Sequence, residues 1–421
     1  MRNSSASPEM TSRSARIHRG LGAASATERP VTKLWLACMS IGFAFFFCPA
    51  SYAVPRSVYS LWMVCVIVVS AIAVLLVLLR CRMTLRWLSL VVGCLFYYFL
   101  SAAFGQGGES AANCLYNASR LIGLSSLLEY GLERDQRATL LSFLTAGVAL
   151  CCVNFATVLQ YHGVVGGMRN GYVPYGRTLQ STQNWYFFSH DNGTLFFYFP
   201  VIACLWYYAL KYSRKVVAFA VLFTALTLFM YLMLWSAAAM VVVGAFLAVM
   251  ILCCGNRLGG LVSRLNYRMV LFFGIAFSVV VVVLNISGSF DYFASLLGKT
   301  GTAGTRATIW RDSISWIASS PVTGVGYEPD LASIMRIGIN HCHNILLQLA
   351  YTGGLITVFP FAAFAWLCRP KGRPGANAFP LLVYVLLIFI GWTFDFYLYM
   401  SVTVVPFVLL ARSCDQNLRE P

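Results

Sequence analysis

The sequence predicts an all-α, polytopic membrane protein with about 12 transmembrane helices and two functional loops on the outer face. Three observations predict it. Of the 421 residues, 59% are hydrophobic and 10% charged, with a mean hydropathy of +0.73, whereas a soluble domain carries about 25% charged residues. Apolar runs of the roughly 20 residues that a spanning helix needs recur along the chain. The basic residues alternate with those runs. With the N-terminus inside, 22 of the 30 Lys and Arg fall in inner segments, 7 in outer segments and Arg120 within a span, the bias that orients helices in a membrane. The net charge of +16 is therefore read as topology, not as a surface for nucleic acid.

Residues 1–32 are rich in Ser, Ala and Arg and poor in apolar residues. They read as a disordered basic cytoplasmic tail rather than a cleaved leader. One transmembrane domain, 33–411, follows, and 412–421 form a second cytoplasmic tail. The expected spans are 34–54, 58–79, 87–104, 111–129, 138–160, 193–210, 216–234, 236–254, 269–286, 344–366, 379–393 and 398–411. The fourth carries Asn113, Asn117, Ser119 and Arg120. An arginine inside a membrane is costly and defaults to a functional reading; pairing with helix-end carbonyls or another polar side chain is the structural alternative.

Residues 161–192 form the first outer loop, with Arg169, Arg177, His190 and Asp191 among aromatic residues. Arginine forks oxygen anions and aromatic faces stack on sugars, so this loop suits either ligand. An aromatic belt with anchoring arginines is the structural alternative. The 39-residue apolar run 216–254 is too long for one span, so a reversal is expected at Leu234-Trp235-Ser236. The large outer loop, 287–343, contains Ile309, Trp310, Ile314 and Ile317 at helical spacing between Thr305 and Ser319. This pattern predicts an amphipathic helix on the membrane surface, with Arg306 and Trp310 on one face. Asp395, between the last two spans, reads as an outer turn or as a partner for an arginine, the turn being favoured. The 14 cysteines lie mostly within spans, where cysteine is a small apolar filler. Cys342 is the exception, set between two histidines.

Neither a nucleotide-binding loop nor a paired-carboxylate metal site occurs in the outer loops, so no cofactor and no metal are expected. The outer face offers arginines, two histidines and few acids. Arginines can hold a pyrophosphate and stabilise its charge as it leaves. A histidine has the proton affinity to take a proton from an attacking hydroxyl. Together they fit transfer from a lipid pyrophosphate to a hydroxyl acceptor at the outer surface. The His341-Cys342-His343-Asn344 stretch also reads as an interfacial histidine pair capping a helix.

Arg306-Ala307-Thr308-Ile309-Trp310, Pro321-Val322-Thr323-Gly324-Val325-Gly326, His343-Asn344-Ile345-Leu346-Leu347-Gln348 and Gly353-Gly354 occur in that order. They resemble the O-antigen ligase/O-antigen polymerase superfamily, which shows Arg-x-x-x-Trp, Pro-x-x-Gly-x-Gly and His-Asn-x-x-Leu-Gln in its large outer loop and next helix. The resemblance implies a bacterial inner-membrane glycosyltransferase of the GT-C type, metal-independent and inverting, acting in polysaccharide biosynthesis for the cell envelope. Its donor would be a glycan on undecaprenyl pyrophosphate, and its acceptor a glycan or lipid A-core. Both termini would be cytoplasmic and the active site periplasmic or extracellular. The resemblance implies His343 as the base for the acceptor hydroxyl and Arg306 at the pyrophosphate; His341, two residues away, is expected to assist His343. The family's arginine of the earlier loop is either Arg169 or Arg177. Family members often carry Ser-Arg between the two middle spans, but here Trp235-Ser236-Ala237 has no arginine; Arg177, Arg311 or Arg120 would supply that charge. Polymerisation is slightly favoured over ligation. The rival from another class is a flippase or other transporter of lipid-linked glycan, which predicts charged or broken helices at mid-membrane.

Overall fold

The computed structural model describes residues 32–100, 103, 111–162, 186–190, 192–254, 265–289, 300–327, 330–338, 341–372, 376–395 and 401–413. Helices dominate throughout, and no β-strand occurs among the described residues. In chain order they are α1 (Lys33–Phe46), α2 (Arg56–Arg80), α3 (Leu85–Leu95), α4 (Ala111–Arg134), α5 (Gln136–Tyr161), α6 (Leu195–Lys211) and α7 (Val217–Leu234). There follow α8 (Ala237–Cys254), α9 (Tyr267–Ile286), α10 (Thr300–Ser319), α11 (Asp330–Ile337), α12 (Ile345–Leu367), α13 (Phe379–Phe394) and α14 (Val405–Arg412). Each expected span contains a helix, but α1 ends at Phe46, short of 54, and α14, of eight residues, starts only at Val405 within the last span. Six described helices are long and apolar enough to cross a membrane, and five more are apolar but shorter. α4 is the polar member of the set, as its Asn and Arg content foretold. Residues 163–185 of the first outer loop, with Arg169 and Arg177, lie outside the described residues, as do residues 1–31 and 414–421.

Helix starts follow from local sequence. Thr32, Thr84, Asp135 and Asn266 each accept a hydrogen bond from the backbone N–H three residues on, satisfying a donor that the first turn leaves open. The middle reversal falls where expected. α7 ends at Leu234, Trp235 takes a left-handed conformation (φ 51°), and α8 starts at Ala237.

Burial separates core helices from peripheral ones. α6, α13 and α14 are buried along nearly all their length. α2, α7 and α9 instead leave Val64, Val68, Ile72, Leu222, Phe229, Phe272 and Val280 exposed. Apolar faces that large need a non-aqueous neighbour, and a lipid bilayer supplies one. Along one side α2 packs on α4 and α3 on α12; α9 packs on α13. At one end, Glu129 of α4 is clamped by Arg86 (2.6 and 2.9 Å) and Arg412 (2.7 Å), joining α3, α4 and α14. The opposite end of the bundle carries α10, α11 and the histidines.

Candidate active site

The motif residues of the large loop are held by one another's backbone. α12 is interrupted at Gly353-Gly354, where Gly354 has φ 56° and ψ −157°. Such a break strands the carbonyls before it and the N–H groups after it. The Pro-Val-Thr-Gly-Val-Gly turn satisfies both sets. Val325 N–H donates to the Tyr351 carbonyl (2.8 Å) and Gly326 N–H to Thr352 (2.9 Å), while Leu355 N–H donates to Pro321 (3.0 Å) and Ile356 N–H to Val322 (3.2 Å). A Cβ on Gly354 would lie 2.3 Å from the Val322 oxygen, and one on Gly324 2.6 Å from Thr352 backbone. Both glycines are required by this close backbone approach.

The histidine segment is fixed in the same way. Trp310 Nε1 donates to the Cys342 carbonyl (2.8 Å), and Cys342 N–H donates to Gln348 Oε1 (2.7 Å). The tryptophan of Arg-x-x-x-Trp and the glutamine of His-Asn-x-x-Leu-Gln thus hold the two ends of one residue. Gln348 Nε2 donates in turn to Thr352 Oγ1 and to Tyr97 of a π-helical turn, Phe96–Leu100. Asn344 caps α12, accepting from Leu346 and Leu347 N–H and donating to Ser278 (2.9 Å). His343 between them has φ 52°, a left-handed conformation that few non-glycine residues adopt. Cys342 is fully buried in packing with Trp310 and Ser313, which leaves it a structural filler.

His341, His343, His190 and Asp395 come together here. Asp395 Oδ1 lies 3.2 Å from His341 Nε2 and 3.3 Å from His343 Nδ1, and Oδ2 lies 3.3 Å from His190 Nε2. The two rings of His341 and His343 are 4.1 Å apart. Asp395 is 3% exposed. Although its burial pushes the other way, hydrogen bonds from the three histidines and the charge of His343 hold its carboxyl well below the usual carboxylate range. A charged carboxylate only accepts, so the nitrogens facing it carry the protons. His343 in its neutral form then has Nδ1–H toward Asp395 and a free lone pair on Nε2. His190 has Nε2–H toward Asp395, and its Nδ1 lies 3.2 Å from Ser189 Oγ. Burial first, then the neighbouring His341, push His343 down from 6.5 to about 4, so it is neutral at pH 7.

Arg306 of α10 sits beside this group. Its guanidinium carbon is 5.6 Å from the Phe394 ring centre. Burial lowers its proton affinity while Asp395 raises it, and its buried Nε has no hydrogen-bond partner among the described residues. Such an orphan donor is unusual in a native protein.

Other expectations meet the structure with mixed results. Arg311, on the same helix, is exposed and donates to the Ile286 carbonyl (3.3 Å). α10 does bury Ile309 and Trp310, but Ile314 faces outward at 42% exposure, so the inward face runs through Ser313 instead. Arg120 is buried in α4 with its guanidinium 5.5 Å over the Tyr116 ring. Asp395 both ends α13, with its N–H on the Gly391 carbonyl, and anchors the histidines. The slight preference for a turn over a charged partner captured only the first of these two roles. His190 stood among the loop's polar residues with nothing in its spacing to link it to His343.

One donor atom each from His341, His343 and Asp395 lies within 4.8 Å of the others, close enough to consider a bound cation. The donor set fits one poorly. Both carboxylate oxygens already take histidine N–H groups, and Arg306 brings a further positive charge into a buried site.

Residues 222–362 match the family model described as O-antigen ligase, in agreement with the motif resemblance. No curated protein and no solved structure matches the chain. The matched stretch includes Arg306, His341 and His343, whereas His190 and Asp395 lie outside it.

Proposed function

We propose that this protein, which carries the O-antigen ligase family domain, transfers a glycan from a lipid pyrophosphate to an acceptor hydroxyl at the outer face of the bacterial inner membrane. The observation that carries the reading is the buried Asp395 carboxyl with His343 Nδ1 at 3.3 Å, next to the buried Arg306. An anchored Nδ1–H leaves Nε2 of His343 free to act as a general base.

In the reaction, the acceptor oxygen attacks the anomeric carbon as its proton passes to His343 Nε2. The carbon–oxygen bond to the pyrophosphate breaks and its electron pair leaves with the diphosphate. The imidazolium so formed is stabilised by Asp395, and the orphan donor of Arg306 meets charge developing on the leaving group. A single displacement of this kind inverts the anomeric centre. It needs no metal, because guanidinium and imidazolium carry the compensating charge. Arg169 or Arg177 would add a second guanidinium from the first outer loop. Undecaprenyl pyrophosphate as the carrier, the GT-C architecture and a span count of 12 belong to the same proposal.

The test is glycan transfer in vesicles supplied with lipid-linked donor, at matched protein levels, comparing wild type with His343→Ala and Arg306→Ala. Loss of transfer in both, with donor still bound by His343→Ala, supports the assigned roles. Transfer retained in both removes this loop as the reaction centre and favours the transporter reading around Arg120. Adding lipid A-core or a growing glycan as acceptor separates ligation from polymerisation.

A further inference from the structure

His190 is a third histidine on the same carboxylate, and it comes from a different part of the chain. Its segment is built with care. Phe187 N–H donates to Thr157 Oγ1 (3.2 Å), Phe188 N–H donates to Asn154 Oδ1 (2.9 Å), and the Phe187 carbonyl accepts from Ala50 N–H (2.8 Å). The His190 carbonyl accepts from Thr194 N–H (3.3 Å) at the start of α6. Gly193 lets that start approach closely, since a Cβ there would lie 2.2 Å from Ser189 Oγ and 3.2 Å from His190 Cε1. Ser236, at the reversal between α7 and α8, donates to Asn192 Oδ1 (2.6 Å), tying the same segment to the middle hairpin. His190 itself is 5% exposed.

We propose that His190 is a positioning residue for the transfer reaction: by holding Asp395 Oδ2, it sets the orientation of the carboxylate and the basicity of His343 on Oδ1. The inference rests on His343 being the base. A carboxylate that gives lone pairs to three N–H donors is weaker toward each of them. Removing one donor leaves more of its charge for the other two. The charged and titratable groups around His190 are Asp395 directly, His341 and His343 across the carboxylate from α12's N-terminal approach, and Arg306 from α10. The Asp395 carboxylate only accepts, so His190 presents Nε2–H to it, and Ser189 Oγ lies 3.2 Å from Nδ1 on the far side of the ring.

The sign follows. Without His190, Asp395 stabilises the His343 imidazolium more strongly and the carboxylate loses one of its fixed supports. The acid limb of transfer then moves to higher pH while the rate on the plateau falls.

The experiment is the pH profile of glycan transfer, from about pH 3.5 to 8, in vesicles of wild type, His190→Ala, His190→Gln and His343→Ala. Donor binding and thermal stability are measured on the same full-length preparations. Glutamine retains an N–H donor near the position of Nε2 but cannot titrate. The expected result is a plateau rate about tenfold lower for His190→Ala, the scale of a lost hydrogen bond to a charged group. Its acid limb moves up by about one pH unit, and His190→Gln restores both rate and limb to near wild type. Wild-type rate and limb in His190→Ala, with His343→Ala inactive, overturns the inference alone. Equal impairment of both His190 variants with the limb unmoved also overturns it, because a merely structural residue behaves that way. Transfer surviving in His343→Ala sinks the underlying reading of the base itself.

Discussion

Asp395→Asn tests the arrangement most directly, because it changes charge and hydrogen-bond sense while leaving shape nearly intact. In the native site both oxygens accept from histidine nitrogens at 3.2 to 3.3 Å. An asparagine amide can accept on one side only. On the other side its NH₂ group meets a histidine N–H, so either His190 or the His341/His343 pair must switch tautomer. If His343 switches, its proton moves to Nε2 and the base is blocked. The lost charge matters as well. With charge centres about 4.5 Å apart and an effective dielectric of about 20, Asp395 stabilises the His343 imidazolium by about 4 kcal/mol. At about 1.4 kcal/mol per decade, that predicts a fall in transfer of between about 10² and 10³. Tautomer loss deepens the fall toward the roughly 10⁴ seen when an orienting carboxylate becomes an amide in a hydrolase triad. Donor affinity should stay level or tighten, since a negative charge near the pyrophosphate has gone. The assay is single-turnover transfer with donor binding measured separately. A variant that keeps more than about a tenth of the wild-type rate refutes the claim that Asp395 supports the base.

Three further perturbations have definite signs. His343, pushed down from 6.5 to about 4, should give a transfer rate that rises as pH increases through about 4 and is flat by pH 6.5; a limb centred near 6.5 in the pH profile would contradict the buried base. The same shift makes the unfolded chain bind the extra proton first, so the stability that His343 contributes is complete above about 6.5 and is lost as pH falls through about 4, with Asp395 adding loss at still lower pH. Arg306→Met should abolish transfer by about 100-fold or more yet leave the melting temperature level or raised, because a buried unsatisfied donor costs about 1–3 kcal/mol; a clear drop in thermal stability would mark Arg306 as structural. Gly354→Ala should destabilise by about 3 kcal/mol or more, from a left-handed residue and a Cβ at 2.3 Å from the Val322 oxygen, with Gly372→Ala as the neutral control, since its Cβ would meet nothing within 4 Å. Equal melting temperatures for the two glycine variants would remove the knitted break as the support of the site.

Much of this was legible in the sequence because membrane solvation imposes its pattern on every span. The apolar runs, their basic flanks and the reversal at Trp235 are each set by local residues and need no tertiary information. α10 was legible from its spacing, although the choice of buried face was not: Ser313 packs inward and Ile314 outward because the Cys342 backbone and its thiol, not lipid, cover that face. Arg306 and His343 stand out as candidates through order and motif. His190 and Asp395 could not be paired by reading along the chain, since 205 positions separate them (395 less 190) and each is short of a local signature. Arg311 was suggested as an anion ligand by residue type alone; in the structure its exposed guanidinium donates to the Ile286 carbonyl.

The division between matched and unmatched residues has a physical reading. The matched stretch, 222–362, carries a rigid device: a broken helix whose exposed backbone groups are met by the Pro-Val-Thr-Gly-Val-Gly turn, and a histidine segment clamped by Trp310 and Gln348. Backbone-to-backbone contacts of this kind constrain residue type at almost every position, so a sequence pattern records them. The carboxylate and the third histidine contribute only single side chains, delivered by α13 and by the start of α6. Their placement depends on how α13 packs against α9 and α6, and α6 against α5 and α7, which many apolar sequences can satisfy. The proposed base, His343, is held in a left-handed conformation at φ 52° and needs its orientation fixed from outside its own backbone. Asp395 supplies that fixing point from one helix and His190 steadies it from another, so the reactive arrangement is a property of the whole bundle rather than of the loop that carries the motif.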